Sequence, residues 1–267
     1  MKRLAACIVA VVAAGAAIGG SVVTVEPSVV VGDAAPDLWG IFLEDLDLAL
    51  DGGLYAEMVR NRSFEDGTFD PWDLTLDFWN PVGNAELYRH GSLRAAIAEA
   101  AFMLGLERNS AQVKFAAYAP LFAHEQHVAW SPNLIYHSGY GSFVNPSWNV
   151  QRLFSENRGT QVLKVSVETG REQKGIDNVQ ANAVRTGKGE IVVKLVNCTE
   201  VPQKVEIRGL SGRVTRTVFT GPGRNARNTP FDREALKERA ESVTLSGGDE
   251  LPPLSLVIYR TAIAPVE

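Results

Sequence analysis

Acidic side chains gather in the first third of this chain. Glu44, Asp45 and Asp47 follow the short apolar run Trp39-Gly40-Ile41-Phe42-Leu43, and Glu57, Glu65 and Glu86 come after them among Tyr55, Trp72 and Trp79, with Trp130 further on. Carboxyl groups beside aromatic rings are what glycosidic cleavage uses. One carboxyl protonates the leaving oxygen, the other attacks or stabilises the anomeric carbon, and rings cover the apolar face of the sugar. Composition alone does not separate this reading from an acid-rich, solvated loop.

Other chemistries lack their residues. The histidines are His90, His124, His127 and His137, and His124-Glu125-Gln126-His127 has i, i+3 spacing where a zinc-binding helix needs i, i+4. No cysteine or third histidine stands at ligand spacing, so the segment reads as a polar loop rather than a metal site. There is no G-x-S-x-G elbow, Walker loop or dinucleotide fingerprint. A net charge of −5 over 267 residues, without a basic cluster, argues against nucleic acid or an anionic membrane as partner.

The elements that must hold these residues fall into three parts. Residues 21–31, "SVVTVEPSVVV", are β-branched and partly alternating, a strand pattern. A second strand over 39–43 would end at Glu44, followed by a turn at Asp51-Gly52-Gly53 and a helix over 54–61. Residues 66–90 are rich in Pro, Gly, Asp and Trp without a period and read as a linker. The strongest helical signal is 92–109, "SLRAAIAEAAFMLGLERN", with Ser92 as N-cap and Asn109 suited to a left-handed C-terminal position. Its apolar residues cover most of the circumference, which predicts burial between two layers. "QVKFAAYAPL" (112–121) reads as a short buried strand, and a helix over 146–157 has Asn145 as cap, Pro146 in the first turn and Gly159 past its end. From Thr160 seven short alternating segments separated by Gly, Asn, Pro and Asp predict an antiparallel two-sheet sandwich, interrupted by a helical or irregular excursion at "FDREALKERAES" (231–242). The strand at 22–31 can join it.

The first 20 residues carry Lys2 and Arg3, an apolar run from Leu4 to Ile18 and small residues after it. That is the pattern of a secretory signal, too short and Ala/Gly-rich for a membrane span. Export would remove Cys7 and leave Cys198 without an intramolecular partner, so the fold must rest on its core. Asn61-Arg62-Ser63 and Asn197-Cys198-Thr199 are sequons of the kind that arise by chance.

"GIFLEDLDLALDGGLYAEMVRNRSFEDG" (40–67) closely resembles the N-terminal segment of secreted α-L-arabinofuranosidases of glycoside hydrolase family 51. "HGSLRAAIAEAAFMLGLERNSAQVKFAAYAPLF", "WSPNLIYH" and "PSWNVQRLFSENRG" resemble the end of the catalytic barrel of the same enzymes and its exit into a C-terminal β-sandwich. The resemblance implies retaining hydrolysis of terminal α-L-arabinofuranosyl groups on plant cell-wall polysaccharides or oligosaccharides, by two glutamates and without a cofactor. It also implies that Glu44 binds a sugar hydroxyl. The expected fold is mainly β: an antiparallel sandwich with its connecting segment over 120–267, and a remnant of a (β/α)₈ barrel with a buried helix over 21–119. Within that remnant lie the first strand and helix (37–65), the linker (66–90) and the last helix and strand (92–119).

One departure bears on the activity. A (β/α)₈ barrel takes roughly 250 residues, and only 24 residues, 66–89, lie between the first strand and helix (37–65) and the second matched block. The acid/base glutamate of the family follows an asparagine, and this chain has no Asn-Glu dipeptide. The nucleophile stands upstream of the last helix in a Glu-Tyr-Ala-like context. The nearby acid here, Glu86 in "GNAELYRHGSL", has different neighbours and reads better as a linker carboxylate. With most of the barrel missing, one apolar face of the helix at 92–109 is expected to be uncovered, which predicts self-association.

Overall fold

Ile191–Asn197, "IVVKLVN", is buried at every position after the first, because both faces of this strand are covered. Val193 and Leu195 point into the interior of a rolled β-sheet, while Val192 and Val196 point outward against two helices. That double covering organises the whole molecule. The computed structural model describes residues 20–43, 91–126, 128, 131–138, 141–172 and 176–261.

The strands in chain order are β1 (Ser21–Asp33), β2 (Trp39–Ile41), β3 (Ala116–Tyr118), β4 (Phe122–His124), β5 (Ile135–Ser138), β6 (Gly141–Val144), β7 (Gln161–Glu168), β8 (Arg171–Glu172) and β9 (Ile176–Asp177). They continue with β10 (Val179–Arg185), β11 (Ile191–Asn197), β12 (Gln203–Arg208), β13 (Gly212–Phe219), β14 (Arg239–Leu245), β15 (Gly248–Leu251) and β16 (Ser255–Thr261). Helix α1 is Leu93–Arg108 and helix α2 is Pro146–Glu156. Nine strands form one sheet in the order β14-β13-β16-β11-β10-β7-β1-β12-β15. Every neighbouring pair is antiparallel except β1 with β12, which is parallel.

The two ends of that order, β14 and β15, are consecutive in the chain and joined through Ser246 and Gly247, the latter at φ +105. The expected two layers are therefore one continuous sheet rolled until its edges nearly meet. Period-two alternation inherently fills such a roll: Val23, Val25, Leu163, Ala181, Val205, Ile207, Val257 and Tyr259 all face its interior. The strand expected near 22–31 does join the sheet, between β7 and β12. Its pairing with β7 shifts register around Val30, beyond the ring of Pro27, which offers no backbone donor.

Both helices lie on the outer face of β10, β11 and β16. Leu93, Ile97 and Leu104 of α1 and Phe154 of α2 are fully buried there, each contributing about 1.5–3 kcal/mol by leaving water. Ser92 caps α1 by accepting from the Ala95 amide at 3.3 Å, and Asn145 caps α2 by accepting from the Trp148 amide at 2.8 Å. Asn109 ends α1 differently from the expectation. Its backbone sits at φ −99, ψ 24 rather than left-handed, and its side-chain amide donates to the Gly105 carbonyl at 2.8 Å. The side chain closes the helix, so no positive φ is needed.

Two further expectations are corrected and one alternative is decided. The strand in 112–121 is only Ala116–Tyr118, half-buried at Ala116 and Tyr118 and exposed at Ala117; Phe115 beside it is 62% exposed, because among the described residues only β2 pairs with this strand. Of the two alternatives for 231–242, the irregular one is found as far as Glu238, and the segment then becomes the start of β14. His124 is a strand residue, not a loop residue. It ends β4, which pairs parallel with β5, and its ring meets His137 edge-on at 5.0 Å while Phe122 stacks on His137 at 4.5 Å. His127 lies outside the described residues. Among those described, no group of three or more His, Cys, Asp or Glu could hold a metal ion, and no helix is long and apolar enough to cross a membrane.

The second sequon is absorbed by the fold. Asn197 is fully buried, donating to the Val201 and Pro252 carbonyls at 2.9 and 2.8 Å and accepting from Thr199. An amide so engaged is a turn-forming group, not a glycan acceptor. Asn61 lies outside the described residues.

Candidate functional site

β2 and β3 are the elements closest to the residues singled out for chemistry. They pair in parallel, with Trp39 opposite Ala116, Gly40 opposite Ala117 and Ile41 opposite Tyr118. Their carboxyl ends therefore lie side by side, and in parallel β/α structures that is the end where ligands bind. The described chain continues from β2 through Phe42 and Leu43; Glu44 and Glu86 lie outside the described residues. Trp39 anchors β2 to the helical layer, its ring edge-on to Phe154 at 5.4 Å. Gly40 lets the Phe115 ring approach: a Cβ there would sit 2.3 Å from it.

Beneath this pair, α1, α2 and β3 enclose a cleft of about 340 Å³. Its lining is mostly apolar, including Phe102, Met103 and Leu106, and one acid, Glu99, is part of it. Burial pushes the Glu99 carboxyl up to about 7, with the nearby Ser147 hydroxyl opposing the rise. Its Oε2 is out of solvent and finds no hydrogen-bond partner. Tyr118 stands close by; burial, then the charge of Glu99, pushes its phenol up, so it stays protonated at neutral pH.

The family model of the α-L-arabinofuranosidase C-terminal domain matches residues 70–255. The chain belongs to this family. α-L-Arabinofuranosidase 2 of Arabidopsis thaliana is 37% identical over 131 residues, 47% of this chain and 18% of that protein. The extracellular exo-α-L-arabinofuranosidase of Streptomyces chartreusis is 42% identical over 79 residues, 30% of this chain and 10% of that one. The arabinose-bound α-L-arabinofuranosidase MgGH51 is similar in structure, with TM-score 0.57 and 28% identity over 63% of this chain and 27% of its own. The match thus spans less than a fifth of the curated relatives' length.

In this arabinofuranosidase C-terminal chain, sequence reasoning missed the polar groups that join helix to sheet. Glu107, near the end of α1, is buried against β10 and β11. It accepts from the Lys194 ammonium at 2.6 Å and from the Asn182 amide at 2.8 Å, and the ammonium also stands 5.2 Å from the centre of the Phe154 ring. Lys194 is wholly buried. Burial pulls its pKa below the usual lysine range, and the Glu107 carboxylate opposes that pull. A signal was present: a lone lysine in the middle of "IVVKLVN" demands a buried counter-charge. Burial, with help from Asp177, pushes the thiol of Cys198, the free cysteine among the described residues, up to about 11, away from the lowered range of an activated thiol.

Proposed function

We propose that this chain descends from a secreted α-L-arabinofuranosidase of glycoside hydrolase family 51 and retains the sandwich together with both ends of the catalytic barrel. The observation that carries this reading is the parallel pairing of β2 with β3. A closed (β/α)₈ barrel must bring its first and last strands together, and here the strand before Glu44 lies against the strand that follows α1 and precedes α2. Residues 1–20 act as the secretion leader, the barrel remnant lies within 21–119, and 120–267 hold the connecting segment and the sandwich, to which β1 is added.

The substrate class is the terminal α-L-arabinofuranosyl group of arabinan- or arabinoxylan-type polysaccharide. Glu44 binds a sugar hydroxyl, and no cofactor takes part. A retaining site needs two carboxyls about 5–5.5 Å apart across the scissile bond. Without an Asn-Glu dipeptide, the chain as it stands lacks the acid/base half, and a stray carboxylate offers only about 10²–10⁴-fold. Purified protein is therefore expected to release no aryl alcohol from an aryl α-L-arabinofuranoside above the buffer rate. Robust turnover that disappears in Glu86→Gln and is absent from a mock purification would overturn this and make Glu86 the nucleophile. The alternative origin of the silence, a gene prediction that omits exons, is tested on the DNA between the codons for residues 66 and 90. An open frame there encoding Asn-Glu and Glu-Tyr supports it; continuous coding sequence excludes it.

Self-association follows from the same remnant. Ile41, Phe102 and Phe115 are 70%, 68% and 62% exposed around β2, β3 and α1, where the missing barrel units would pack. Sizing over a concentration series is expected to show growth of a dimer or larger species, reduced in Phe102→Ser. A clean monomer that binds no apolar dye would contradict it.

A further inference from the structure

The cleft between α1, α2 and β3 has an unusual balance of groups. One carboxylate, Glu99, enters a space walled by Trp39, Phe102, Met103 and Tyr118, with Gln151 at one side, and no basic side chain lines it among the described residues. Glu99 Oε2 is buried and unpartnered. A carboxylate withdrawn from water without a counter-charge is costly, and the cost is relieved only by protonation or by a cation. Aromatic faces beside the carboxylate favour an organic cation, because the ring quadrupole attracts the charge and the ring faces cover an apolar body. At about 340 Å³ the space falls in the range of small-molecule sites.

We propose that this cleft binds a small organic cation, a primary ammonium on a short apolar body, with Glu99 as its counter-charge. The ammonium donates to Glu99 Oε2, and the apolar body lies on Phe102 and Met103. Phe102 is 68% exposed and so forms the open lip of the site. This role is separate from the sugar chemistry proposed for Glu44 and uses none of the same residues.

The site should respond to pH in one direction. The titratable group facing Glu99 is Tyr118 on β3, backed by Tyr136 on β5, and burial keeps Tyr118 protonated. From α2 the facing groups are Ser147 and Gln151, which do not titrate. With the Glu99 carboxyl pushed up to about 7, its charged form grows from about a tenth to about nine-tenths between pH 6 and pH 8. The ammonium, titrating near 10 like lysine, stays charged throughout. Affinity should therefore rise about tenfold across that interval.

The test is calorimetric titration of the full chain with 2-phenylethylammonium and with its neutral near-isostere 2-phenylethanol, at pH 6 and pH 8. Binding of the ammonium that strengthens about tenfold at pH 8, is at least tenfold weaker for the alcohol, and falls at least tenfold in Glu99→Gln supports the site. Phe102→Ala changes an exposed side chain and leaves the core intact, so it should weaken binding without altering the circular dichroism. Equal binding of the two ligands, binding indifferent to Glu99→Gln, or no binding of the ammonium at pH 8 would overturn the proposal.

Discussion

Lys194→Met is expected to destabilise the fold by about 3–5 kcal/mol, the usual cost of leaving a buried partner charge uncompensated. The methionine fills the space of the lysine stem, so the loss does not come from a cavity. It comes from Glu107, which would retain only the Asn182 amide at 2.8 Å inside the α1–sheet interface. The double variant Lys194→Met/Glu107→Leu removes both charges and should recover most of the loss, because a buried ion pair is worth little against apolar groups of similar volume. Recovery should stay incomplete, since the Asn182 amide then loses its acceptor. Urea midpoints at constant m-value measure all three proteins. A Lys194→Met variant as stable as the parent would show that the pair does not hold α1 to the sheet.

Gly209→Ala is the second large effect. Gly209 follows β12 at φ +79, and a Cβ there would lie 1.8 Å from the Val25 carbonyl oxygen of β1. The backbone conformation alone costs a non-glycine residue about 1–3 kcal/mol, and the contact with a sheet carbonyl forces β1 away from β12. Gly212 is a matched control: it sits at φ +87, and a Cβ added there would meet nothing within 4 Å. Gly212→Ala should therefore show only the conformational cost, about 1–2 kcal/mol. Equal losses at the two positions would mean that the close approach of β1 to Gly209 contributes nothing.

Much of this fold was legible because its strands and helices follow local rules. Ser92 and Asn145 announce helix starts that tertiary structure left in place, and the alternation from Gln161 onward marks strands whose two sides differ in burial. What local pattern cannot report is the covering of β11 on both sides, which makes "IVVKLVN" nearly continuous in burial and hides its outward-facing Lys194. Nor could it report that β14 and β15, consecutive in the chain, bend apart at Gly247 to opposite edges of one sheet, β14 beside β13 and β15 beside β12. The exposure of Phe102 and Phe115 reads in sequence as core, because those residues are written for a layer that the described residues do not supply. At the site, the strand leading to Glu44 was legible and its partner β3 was not, since pairing across 74 intervening residues between Ile41 and Ala116 leaves no local mark. Glu99 was invisible for the opposite reason: one acid in an alanine-rich helix looks like a solvated face.

The central claim is that this chain keeps both ends of an arabinofuranosidase barrel without a working nucleophile and acid/base pair. The most direct measurement is trapping with an arabinofuranose-shaped cyclitol epoxide, read by intact mass and peptide mapping. In a retaining site the nucleophilic carboxylate opens the epoxide and keeps it as an ester, while the acid/base group delivers a proton to the departing ring oxygen. An unmodified mass is expected for this protein under conditions that label a full-length relative completely. A single stoichiometric adduct on Glu86, prevented by excess arabinose, would contradict it.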